Sequence, residues 1–242
     1  MDLNEIVPML SSAVMIAFAL DVFRRFARRP THTHLLVWGI GLAMFALGTV
    51  SEIILNLTWS EVAFRSWYLF GAILTAAWIG QGTLYLLVRR PWVKIVTIVL
   101  TVASFGVAIW LWATPIVASG FHLGTPISLQ YGDILLKGVP VRLSTIPFNI
   151  YGTVTLVGGA LWSGYLFWRK RVLPNRVIGN VLIAAGALSV ATASTLARLG
   201  NGSFLFVGEL FAALLMYAGF VLASQPAAVE GKTPQGQAVQ AE

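Results

Sequence analysis

Seven runs of mostly apolar residues, each about 20 long, leave this chain few ways to fold. They cover residues 6–23, 34–56, 65–88, 94–113, 145–168, 177–198 and 204–224. About 20 apolar residues wound as a helix match a hydrocarbon core of roughly 30 Å. Lipid offers no hydrogen bonds, so a spanning segment must satisfy its own backbone, and a helix does. Soluble domains carry roughly 25% charged residues; this sequence has 10%, against 57% hydrophobic. The expected fold is an all-α membrane protein of seven transmembrane helices, numbered 1 to 7 in the order of the runs. They form one domain over residues 1–224, with little chain left for a soluble catalytic module.

Charge then sets the expected orientation. Threading the seven runs puts twelve of the 16 Lys and Arg on one side: Arg24, Arg25, Arg28, Arg29, Arg89, Arg90, Lys94, Arg169, Lys170, Arg171, Arg176 and Lys232. Arg65, Lys137, Arg142 and Arg198 fall on the other. Basic residues collect in short cytoplasmic loops, so the N-terminus is expected outside and the C-terminus in the cytoplasm. The net charge of +7 then reports topology, and nucleic acid is not an expected partner. Helix 1 is preceded by acidic residues and followed by FRRFARRP, the reverse of a cleaved signal peptide, so it reads as a retained span. The polar stretch 225–242 reads as a disordered cytoplasmic tail.

Several chemistries are excluded outright. The chain has no cysteine, hence no disulfide, thiolate metal site or cysteine nucleophile. His32 and His34 fall at one end of helix 2 and His122 in the loop at the other end, so no pair can hold a haem between facing helices. HExxH, GxSxG and phosphate-cradling glycine loops are absent. No cofactor or metal is expected, and an enzyme is the least supported class.

Two carboxylates stand out within the apolar runs, Glu52 in helix 2 and Glu209 in helix 7. An ionisable group inside the membrane is costly, faces a bundle interior or wet cavity, and marks a functional site by default. Glu52 shares a helix face with Gly41, Phe45 and Gly48, and small residues let helices approach closely. At about 1.5 Å per residue, Arg198, Asn149, Tyr68 and Arg65 reach a depth similar to the two acids. These six residues are the candidate ligand-binding set. Ion pairs that only fix helix register would explain the same charges.

The one long connection, 114–144, lies between helices 4 and 5. Its segment ISLQYGDILLKGVPVRL has apolar runs on either side of Gly132-Asp133, which predicts a β-hairpin lid on the outer side. Phe23, Arg25 and Pro30 match Phe167, Arg169 and Pro174 at one constant offset, so helices 1–3 and 5–7 could be parallel repeats about helix 4.

Seven helices, an outer N-terminus and a lid resemble the rhodopsin-like receptors in outline. A retinal-binding opsin needs a Schiff-base lysine in helix 7, and residues 204–224 have none. The run with Trp38, Gly48, Glu52, Trp67 and Tyr68 also resembles the seven-helix sensory regions that precede bacterial histidine kinases. That resemblance implies a sensor signalling through a membrane partner subunit. The leading expectation is a bacterial plasma-membrane protein that binds a small or lipophilic ligand at its outer half, as sensor or accessory subunit. The acids would make polar contacts, with Arg198 as their counter-ion. The alternatives are a small 3+1+3 transporter or proton-coupled carrier, using Gln81 and Asp21 on its inner path, and a structural subunit of a membrane complex.

Overall fold

The computed structural model describes the backbone over residues 3–88, 90–170, 174–198 and 203–225, and the side chains over 6–88, 90–170, 175–196 and 205–225. Among these, seven helices are long and apolar enough to cross a membrane. They are helix 1 (Ile6–Arg28), helix 2 (Thr33–Leu57), helix 3 (Glu61–Leu87), helix 4 (Trp92–Ala113), helix 5 (Pro140–Arg169), helix 6 (Asn175–Leu196) and helix 7 (Leu205–Ala223). The chain is an integral membrane protein with seven candidate spans. The tail beyond residue 225, expected to be disordered, lies outside the described residues.

Helix 1 packs on helices 2 and 7, helix 2 on 3, helix 3 on 5, helix 5 on 6, and helix 6 on 7. Six helices thus close a ring. Small residues set its tightest seams. A Cβ on Gly48 of helix 2 would lie 3.0 Å from the Gly71 Cα of helix 3. On helix 6, a Cβ at Gly186 would lie 3.1 Å from the Ala212 carbonyl of helix 7. Without a hydrophobic force between helices in lipid, such close backbone contact is what holds them together.

Helix 4 stays outside the ring and packs on helix 3. Ile98, Val102, Phe105 and Ile109 recur along one of its faces and are 63–70% exposed, as suits a surface covered by lipid tails. Side-chain hydrogen bonds from helix 3 tie it down, among them Trp78 Nε1 to Ser104 Oγ (3.1 Å) and Gln81 Nε2 to Thr97 Oγ1 (2.7 Å).

The connection between helices 4 and 5 corrects the sequence reading. Among the described residues there is no strand, and the expected β-hairpin is replaced by helical turns: Ala118–Gly120, the loop helix Ile127–Ile134, and Pro140–Ser144 at the head of helix 5. Gly132-Asp133, read as the hairpin turn, lies inside the loop helix. The reason is periodic: Ile127, Gln130 and Ile134 fall three and four residues apart and are all buried, a helical spacing that the Gly-Asp pair obscured. Gln130 then fixes the turn. It accepts from the His122 backbone N–H (2.6 Å) and donates to the carbonyls of His122 (3.1 Å) and Thr125 (2.6 Å).

Gln130→Ala should therefore unpin the loop while sparing the spans. Losing these three part-buried bonds costs about 1–3 kcal/mol. Hydrogen exchange should show residues 118–134 losing protection while helices 1–3 keep theirs.

Candidate functional site

Two breaks in regular helix shape the site. Helix 3 winds as a wide π-helix over Trp67–Leu74, and helix 5 does so over Val154–Gly158. A π-turn shifts the side chains after it and frees carbonyls from the ladder, and such turns gather at functional sites. Local side chains add bonds to carbonyls of the helix 3 turn. Thr75 Oγ1 donates to the Phe70 carbonyl (2.6 Å), and Asn149 Nδ2 of helix 5 donates to the Ala72 carbonyl (2.8 Å).

Between these segments the ring encloses a cavity of about 320 Å³. Helix 2 contributes Phe45, Gly48 and Thr49; helix 3 contributes Trp67, Tyr68, Gly71, Ala72 and Thr75. Helix 5 adds Thr145, Asn149 and Gly152, helix 6 adds Ala187, Ala191 and Ser194, and helix 7 adds Glu209. The loop helix closes the near end with Ser128 and Tyr131. Trp67, Tyr68 and Tyr131 form an aromatic triangle in this wall, with ring centroids 6.0–6.2 Å apart.

The carboxyls of Glu52 and Glu209 face one another at the same level. Glu52 lies about 8 Å below the end of helix 2, and Glu209 about 9 Å below the start of its helical segment at Ser203, by the helical rise. Glu209 reaches the cavity surface; Glu52 stands behind it, fully buried. The two carboxyls are hydrogen-bonding neighbours of one another, and beyond that contact neither oxygen of Glu52 nor Oε2 of Glu209 meets a donor among the described groups. The Ser128 hydroxyl, on a residue 4% exposed, is also buried without a partner.

The six residues singled out by sequence divide into three groups. Tyr68, Asn149 and Glu209 line the cavity and Glu52 abuts it through Glu209. Arg65 is engaged elsewhere: it pairs with Glu61 (2.7 Å) and donates to the carbonyls of Leu111 and of Thr114 (3.0 Å), clamping the end of helix 4 to the start of helix 3. The side chain of Arg198, expected as counter-ion to the acids, lies outside the described residues. Sequence reasoning missed Ser128, Tyr131, Thr75 and Ser194 as lining groups. Only the helical period of the loop, which puts Tyr131 one turn after Ser128, could have signalled the first two.

The half of the bundle near the basic loops has a different character. Gln81 donates to the Val93 carbonyl and to Thr97, accepts from the Tyr151 hydroxyl, and Thr97 bonds Tyr85 (2.8 Å). Trp38 donates to Thr83 (3.1 Å), and Asp21 is held by Arg25 (3.0 Å). These polar groups answer one another and bind helices 3, 4 and 5 into a closed floor.

The class is therefore a polytopic membrane protein with a cavity beneath the 114–144 loop, walled in part by aromatics and backed by two acids. Comparison with protein-family models, curated proteins and solved structures finds no match to this chain.

Proposed function

We propose that the protein binds a small or lipophilic ligand in this cavity, as a sensor or as the accessory subunit of a membrane assembly. The observation that carries the proposal is the cavity of about 320 Å³ whose wall includes Glu209, with Glu52 facing it from behind. Its size is at the lower end of small-molecule pockets, which are mostly apolar with a few placed polar groups. The twelve-to-four distribution of Lys and Arg supports an N-terminus outside, so that the loop-covered end of the cavity lies on the outer side.

A 3+1+3 transporter is the second reading, favoured by the closed ring of helices 1–3 and 5–7 with helix 4 outside. It needs polar groups continuing to the basic end, and Gln81 and Asp21 are already committed to structural bonds. Binding is the better supported of the two.

The test is native mass spectrometry of the protein released gently from its own membrane. The wild type should retain a small molecule, and Glu209→Gln should reduce its occupancy about tenfold or more by removing the charged contact. A wild type that carries nothing, together with flux of solute in liposomes, would replace binding by transport.

A further inference from the structure

We propose that the cavity takes a protonated amine with an apolar body, and that Glu209, backed by Glu52, supplies its counter-charge. The assignment rests on the ligand-binding reading above and names its chemical class.

Charge is the first argument. Glu209 is the one charged residue among the described residues that line the cavity. The described ion pairs, Arg25–Asp21 and Arg65–Glu61, involve neither acid. Acids at membrane depth pair with a cation, with one another or with backbone groups. A ligand cation would meet Glu209 directly and give the facing pair a counter-charge, whereas an anionic ligand would add like charge beside it.

The walls give the second argument. Trp67, Tyr68 and Tyr131 line the cavity, and aromatic faces attract a desolvated cation. Arg142 already lies over the Tyr131 ring at 4.8 Å, so Trp67 carries the larger share of this attraction. Ser128 adds a buried hydroxyl with no partner, an acceptor for an ammonium N–H. The remaining surface, from Phe45, Ile79, Leu156, Val157 and Met216, suits the apolar body.

The experiment uses the full chain in lipid nanodiscs and three probes of matched size: phenethylamine, 2-phenylethanol and phenylacetate. Equilibrium dialysis should show the amine binding on the order of tenfold or more tighter than the alcohol, with phenylacetate weakest. Glu209→Gln should bring the amine down to the level of the alcohol. If that variant does not fold, the amine-to-alcohol ratio of the wild type decides alone. Equal or tighter binding of the alcohol or the acid overturns the cation assignment and leaves ligand binding standing. If none of the three binds, the cation assignment falls, and retention in the mass measurement judges the broader reading separately.

Discussion

Gly152→Val should cost about 3 kcal/mol of stability and open the seam between helices 3 and 5, the upper range for overpacking a tight contact. A Cβ at Gly152 would lie 2.7 Å from the Ala76 Cβ and closer still to the Ala76 carbonyl, and a backbone cannot swing aside as a side chain can. The neighbouring contact is equally tight, because a Cβ on Gly80 would meet the Gly152 carbonyl at 3.0 Å. Separating these helices also strains the bond from Asn149 to the Ala72 carbonyl and reshapes the cavity wall that Gly152 forms. Thermal unfolding in detergent, followed by tryptophan fluorescence, is the measurement. Gly106→Ala on helix 4 is the control: nothing lies within 4 Å of its added Cβ, so its melting temperature should stay level or rise slightly. Equal melting of Gly152→Val and wild type would mean that the two helices do not approach this closely.

Arg65→Ala should cost about 3 kcal/mol and leave ligand occupancy per folded molecule unchanged. The residue is 5% exposed, and its guanidinium bonds the Leu111 and Thr114 carbonyls at the end of helix 4. A cation there also complements the negative end of the helix dipole. The Glu61 pair adds little, since that side chain is 56% exposed and solvent screens it. Arg65→Lys should restore part of the loss, because an ammonium cannot span both carbonyls and the carboxylate as a planar fork does. Unfolding and native mass spectra of both variants separate the two possible roles. Lost ligand at wild-type stability would return Arg65 to the site.

The spans were legible from apolar length alone. Each observed helix overlaps its expected run, with ends shifted by a few residues where chain continues as helix beyond the hydrocarbon core, as at Glu61 before helix 3. The pairing of Asp21 with Arg25 was legible for the same local reason, being a helical four-residue spacing. Depth was legible too, since helical rise puts Glu52 and Glu209 at one level. Depth does not give azimuth, however. Arg65 shares the level of the acids yet points to helix 4, because helix 3 must be anchored there. The loop failed for another reason. Its apolar residues fit a strand period and a helix period over so short a run, and only the buried contacts of Ile127, Gln130 and Ile134 chose the helix.

By itself, the sequence determined that seven helices are buried in lipid, because apolar length and backbone satisfaction are properties of each segment alone. It also determined that two acids sit within that bundle near one end. The tertiary structure decided which helices close the ring, which side chains wall the cavity and that Arg65 turns to helix 4 instead of the acids. Those are properties of pairs of helices, set by glycine contacts and π-turns whose effect appears only when one backbone meets another.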